Sequence, residues 1–184
     1  MACETTITLA ERGDLCGILS QLFLTGDVEA VVAPLAQDTE ALAGLLPRTA
    51  AALAEGAQDD VVLAACVEYA RLLCNGCVRG VHPFESVYRG KDHLLMEDPR
   101  DEVVAVYAGK GFAASTEPHL PEDHLSFELA FMQLLCSQDD DVAVEAFLAQ
   151  HLGVWAPYFC NDLEALSEDP FWLDIAALVR CAID

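Results

Sequence analysis

Positive charge is scarce in this 184-residue chain: Lys and Arg total 9 against 31 Asp and Glu, a formal net charge of −22 at pH 7. Neutralising a phosphate backbone or an anionic lipid surface requires clustered cations, so nucleic-acid binding and stable membrane attachment are excluded as expectations. The few bases are also unevenly placed. Residues 1–70 carry 11 acids and 2 bases, residues 71–110 carry 6 of each, and residues 111–184 carry 14 and 1. A basic peptide is the natural partner for such a surface, although the acidity also serves simply to keep an apolar chain soluble.

Long apolar runs are missing too. No stretch reaches eighteen uninterrupted apolar residues, and Met1-Ala2-Cys3-Glu4 lacks the basic and apolar regions of an export signal. A cytoplasmic location is expected. The eight cysteines then read as reduced thiols, several at apolar helix positions such as Cys66 and Cys136, and no disulfide is expected.

The usual signatures of enzymes are absent as well. There is no glycine-rich phosphate loop, no Gly-x-Ser-x-Gly turn, and no pair of histidines flanking a Glu at helical spacing among His82, His93, His119, His124 and His151. Cys74-Asn75-Gly76-Cys77 has the spacing of half a metal or dithiol site, but zinc needs two further ligands and no second pair exists. No metal, no cofactor and no catalytic residue is expected.

What remains is a chain 54% hydrophobic, dominated by Ala and Leu, with comparatively few β-branched residues. That composition suits packed helices. The pattern predicts an all-α, single-domain bundle of about eight to ten helices over 1–184, with an irregular loop near 75–97 and a linker near 112–120. The first helix runs near Ile7 to Leu24, with Leu15, Ile18, Leu19, Leu22 and Phe23 as its core stripe and Gly26 as its end. Asp27 and Asp38 offer N-caps for the next two segments, and Pro47 divides the second of these. Asp59 or Asp60 opens a strongly apolar helix, expected to sit centrally, which Asn75-Gly76 closes. A helix starts at Asp98-Pro99, and Pro121 stands at the first helical position of another, with Glu122 and Asp123 in its first turn. Three more follow near 140–151, 153–167 and from Asp169-Pro170 onward.

Asp123-His124 admits two readings. A carboxylate beside an imidazole is the makings of a general acid/base pair, yet adjacent helix residues point about 100° apart. The alternative is structural: Asp123 completes an acidic first turn while His124 pairs with Glu128 at i+4.

The run Pro121-Glu122-Asp123-His124-Leu125-Ser126-Phe127-Glu128-Leu129-Ala130-Phe131-Met132 resembles the signature of the TorD/DmsD/NarJ family of redox-enzyme maturation chaperones. His82-Pro83-Phe84-Glu85-Ser86-Val87-Tyr88 is similar to a second family segment, and Tyr69-Ala70-Arg71-Leu72-Leu73 lies where an aromatic and two apolar residues stand in the family. The segments around Trp155 and Pro170-Phe171-Trp172 resemble the final helices. Leu120 stands where the family often has Glu, and Cys16 where an aromatic is common.

The resemblance implies a TorD-like bundle and a non-enzymatic role: binding the twin-arginine signal peptide of a molybdoenzyme catalytic subunit while its molybdopterin cofactor is inserted. The partners are then the leader peptide and the apo catalytic subunit, and the chain is a monomer or homodimer. Two arginines followed by an apolar stretch want carboxylates beside an apolar groove. Tyr69, Leu72, Leu73, Pro83 and Phe84 offer the apolar part, Asp123 the contact to the arginine pair, His124 orients the peptide or its linker, and Glu128 is a further peptide-binding residue. Ser86 and Tyr88 either line the groove or fix the loop through their hydroxyls. The alternative is a molybdopterin- or guanine-nucleotide-handling protein using Arg79, Arg89 and Lys91, against which the absent phosphate loop argues.

Overall fold

The computed structural model describes residues 7–74, 80–114 and 119–184. Eleven α-helices occur among them: α1 (Leu9–Thr25), α2 (Val28–Leu35), α3 (Thr39–Leu45), α4 (Pro47–Glu55), α5 (Gln58–Tyr69), α6 (Glu85–Arg89), α7 (Asp98–Gly109), α8 (Leu125–Ser137), α9 (Asp141–Gln150), α10 (Leu152–Leu166) and α11 (Pro170–Ile183). Pro47 opens α4 and so divides the segment after Asp38, and the short α6 is the one turn of helix inside the 75–97 loop that brings the number past eight to ten.

The helix boundaries follow local chemistry. Thr8 and Glu11 form a capping box: the Thr8 hydroxyl accepts the Glu11 N–H at 3.2 Å and the Glu11 carboxylate accepts the Thr8 N–H at 2.8 Å. Gly26 ends α1 in the left-handed region at φ 70°, and its N–H donates to Leu22 O at 2.8 Å. A Cβ there would also stand 2.3 Å from the Tyr69 ring, so glycine is required twice over. Asp27, Asp38, Asp140 and Asp169 cap α2, α3, α9 and α11 through their carboxylates.

α1 packs along α8 more extensively than any other pair of elements, and α10 packs on α11. Their shared interior holds Trp155, Trp172, Phe131, Phe159 and Phe171, all essentially without exposure. Phe23 from α1 touches Phe159 and Trp172 with ring centroids 5.6 and 6.0 Å apart.

Four expectations need correction. α5 is a flank rather than the centre: it buries Ala65, while Leu63 and Val67 are 63% and 59% exposed. Asp59 and Asp60 lie in its first turn rather than capping it. Its C-terminal end passes into a π-helical turn at Ala70–Cys74; Asn75-Gly76 lies outside the described residues. Ile18 is not in the core, being 54% exposed. Finally, α8 begins at Leu125 and not at Pro121, for a reason that lies in the site.

Candidate functional site

Residues 83–86 run antiparallel to 123–125 and zip onto them. Glu85 N donates to Asp123 O at 3.0 Å, Leu125 N to Pro83 O at 2.8 Å, and Ser86 N to the Asp123 carboxylate at 2.8 Å. Phe84 and His124 form the isolated bridge between them. Holding this ladder requires extended backbone, and His124 has φ −71° and ψ 139°. Residues 121–124 therefore cannot be the first turn of α8.

His124 instead becomes the N-cap of α8. Its Nδ1 accepts the Ser126 N–H at 3.1 Å and lies 2.7 Å from Ser126 Oγ, which assigns the ring proton to Nε2. The ring packs edge-on against Phe84, centroids 4.9 Å apart. Burial depresses its pKa to about 4, so it is neutral at pH 7. Neither sequence reading of Asp123-His124 therefore holds. Asp123 serves Ser86, His124 serves Ser126, and Glu128 serves Trp155.

Behind the ladder lie three carboxyl groups, Glu85, Asp123 and Glu128, all with essentially no exposure. Glu128 accepts the Trp155 indole N–H at 3.0 and 3.1 Å. Glu85 takes an ion pair from Arg89 at i+4, and His151 Nδ1 sits 3.0 and 3.2 Å from its two oxygens. Burial pushes the Asp123 carboxyl up, against the hydrogen bonds from Ser86, and nearby Glu85 raises it further. Glu128 is raised well above the ordinary carboxylate range by burial first and then by the Glu85 charge, with the Trp155 indole opposing. Asp123 Oδ1 has no hydrogen-bond partner among the described residues.

Tyr88, on α6, stacks on Trp155 at 5.6 Å and donates its hydroxyl to Asp162 on α10 at 2.9 Å. Burial, and then the Asp162 charge, raise its phenol pKa. Asp162 is exposed and opens onto a groove of about 550 Å³ lined by His82, Val87, Tyr88, His93 and Tyr158. Tyr158 is 62% exposed, and His93 Nδ1 lies 2.9 Å from Val87 O.

The sequence-expected residues thus divide into two groups. Pro83, Phe84, Ser86, Tyr88, Asp123, His124 and Glu128 converge where α6, α8 and α10 meet. Tyr69, Leu72 and Leu73 belong to the α5 flank: Tyr69 stacks on Trp172 at 5.6 Å and donates to Phe23 O at 3.1 Å, Leu72 is buried, and Leu73 packs against the core. Val81 N, donating to Leu72 O at 2.9 Å, joins the flank to the loop. Asp123, Ser86 and Glu128 are closed off from solvent, whereas Asp162, the carboxylate lining the groove, is exposed.

Glu85, His151, Tyr158 and Asp162 escaped sequence reasoning. Glu85 and His151 are 66 positions apart, Tyr88 and Asp162 are 74 apart, and no local spacing links such pairs. Of the bases expected for a nucleotide, Arg89 is committed to Glu85 and Glu102, and Arg79 lies outside the described residues, as does Cys77 of the Cys74 pair. Among the described residues no group of three or more His, Cys, Asp and Glu is disposed to hold a metal ion, and no helix is long and apolar enough to cross a membrane.

The sequence matches the family described as Nitrate reductase delta subunit over residues 33–161, which spans α6, α8 and most of α10. It is similar to the chaperone protein TorD of Vibrio parahaemolyticus, 24% identical over 140 residues covering 69% of this chain and 65% of that one. The TorD proteins of Photobacterium profundum and Shewanella pealeana are 25% and 23% identical, over 62% and 70% of this chain and 58% and 61% of theirs. The chain thus spans less than two thirds of the length of each of these relatives. An all-α fold built around the 83–86 and 123–128 segments and a family match over most of the chain lead to one assignment: the chain belongs to the nitrate reductase delta subunit family, a family of TorD/NarJ-type maturation chaperones and not of enzymes.

Proposed function

We propose that this chain is a cytoplasmic chaperone that binds the twin-arginine signal peptide of a molybdoenzyme catalytic subunit, delaying its export while the molybdopterin cofactor is inserted and the subunit folds. The observation that supports this reading best is the juxtaposition of Asp162, exposed and oriented by the Tyr88 hydroxyl, with the ladder that seals Asp123. A guanidinium entering the groove meets Asp162 at its mouth, flanked by the Tyr158 ring. Behind residues 83–86, Asp123 Oδ1 has no hydrogen-bond partner among the described residues and is available to a second guanidinium once the ladder loosens. Both partners of the arginine pair then come from the α6, α8 and α10 junction, and the apolar part of the leader lies along Val87 and Tyr158.

The test is a calorimetric titration of the purified protein with the leader of its client enzyme. Asp162→Asn removes one exposed charge and is expected to weaken binding about 10-fold with the melting temperature unchanged. Combining Asp123→Ala with His124→Ala should abolish binding, and circular dichroism then separates loss of the site from loss of the fold. Unchanged affinity in Asp162→Asn and in the double variant would sink the reading.

A further inference from the structure

A second groove shares no lining residue with the one at Asp162. Asp14, Ile18 and Leu22 follow one another at spacings of four, and Gln21 and Thr25 lie three or four residues from members of that row, so they share one face of α1. Together with Val31 on α2 and Gln133 on α8 they line an open groove of about 660 Å³. Its floor is apolar: Leu22 is buried, and Ile18 stands 54% exposed above it.

The charges around it have one sign. Asp14 marks one end, Asp27 the other, and no Lys or Arg is among the lining residues. From Asp14 to Thr25 is a rise of about 16 Å along α1, or roughly three turns. An apolar floor of that length with a carboxylate at each end complements one kind of occupant, an amphipathic helix with an apolar stripe and a cation at either end. The surrounding sequence adds a steering field, since residues 1–70 carry 11 acids against 2 bases.

We infer that the α1 groove is a second docking surface, separate from the leader groove, that takes a cationic amphipathic helix of a partner protein. Ile18 is its central apolar contact, and Asp14 and Asp27 pair with the two cations. This surface explains why an isoleucine at a core-like spacing is left in solvent.

The test uses a fluorescent synthetic helix of about 18 residues, with a leucine stripe and two lysines about eleven residues apart, and a twin carrying glutamates in place of the lysines. Fluorescence anisotropy at physiological ionic strength follows binding to the full chain, to Ile18→Asp and to Asp14→Lys. Both substituted side chains are exposed, and thermal melts confirm the fold of each variant. The lysine helix should bind the parent chain, lose about 10-fold or more with Ile18→Asp, and weaken with Asp14→Lys, while the glutamate helix gains affinity for Asp14→Lys. Three results overturn the inference. They are no binding to the parent chain, equal binding to all three proteins, which signifies general attraction to a charge of −22, and displacement of the helix by the twin-arginine leader. Failure of the leader itself to bind refutes the function proposed above and leaves this surface standing.

Discussion

The Trp155 indole N–H donates to both oxygens of the Glu128 carboxyl, at 3.0 and 3.1 Å, where neither side chain reaches solvent. This contact ties α10 to α8 beneath the candidate site. Glu128→Gln keeps an acceptor of the same shape, whereas Glu128→Ala leaves the indole N–H buried without a partner. The alanine variant is expected to lose about 1–3 kcal/mol more than the glutamine variant, measured by urea denaturation at neutral pH.

The same carboxyl governs a pH dependence. Its folded pKa is raised above the ordinary 4.5, so its contribution to stability is fully present below that value and is lost as pH rises through the folded pKa. Glu128→Gln lacks this loss, and its stability relative to the parent should increase as pH rises above 4.5 and level off beyond the folded pKa. His124 works in the other direction. With its pKa lowered from 6.5 to about 4, it contributes stability above pH 6.5 that is lost as pH falls through 4. His124→Asn, which retains a capping acceptor, should flatten the acid limb of a stability curve recorded from pH 4 to 7.

Asp174 offers a contrast between buried and exposed ends of one ion pair. Its carboxylate accepts the Thr49 N–H at 2.8 Å and the Thr49 hydroxyl at 2.9 Å, tying α11 to α4, and also pairs with Arg48 at 3.1 Å. The Asp174 side chain has no exposure, while that of Arg48 is 55% exposed. Asp174→Ala should therefore cost about 1–3 kcal/mol and Arg48→Ala less than about 1 kcal/mol, compared by chemical denaturation.

At Gly26 an alanine meets two obstacles, the positive φ of 70° and the Tyr69 ring 2.3 Å from its Cβ. Gly26→Ala is expected to destabilise by more than about 1 kcal/mol. Because Tyr69 stacks on Trp172, the change should appear in the tryptophan fluorescence as well as in the melting temperature.

Tyr88→Phe isolates the groove from the fold. It keeps the stack on Trp155 and removes the hydroxyl that orients Asp162, which is exposed. Stability should change by less than about 1 kcal/mol. On the proposed function, leader affinity should nevertheless fall, read in the same titration as Asp162→Asn.

Much of the helical framework was legible because its signals are local. Gly26, Asp27, Asp38, Pro47 and Asp169-Pro170 each act within a turn of their own position, and each marks a boundary where expected. The reading failed where distant chain intervened. Pro121-Glu122-Asp123 has the chemistry of a helix start, but the ladder with residues 83–86 claims that backbone and delays α8 to Leu125. Ile18 follows the core period of α1, yet it is 54% exposed among the described residues. Seven of the residues named for the site do converge, while Tyr69, Leu72 and Leu73 pack elsewhere, on the α5 flank.

By itself, then, the sequence determined an acidic, all-α chain, its main helix boundaries, and a family signature that places Asp123 and His124 at the centre of interest. Composition, period and caps are short-range properties, readable without knowing what lies across the core. Tertiary structure alone decided that Asp123 is sealed by Ser86, that Glu128 belongs to Trp155 and Glu85 to His151, and that Asp162 is the acid facing solvent beside them. Those pairings join residues 27 to 66 positions apart, and burial raises the pKa of Asp123 and of Glu128 once the helices have closed around them.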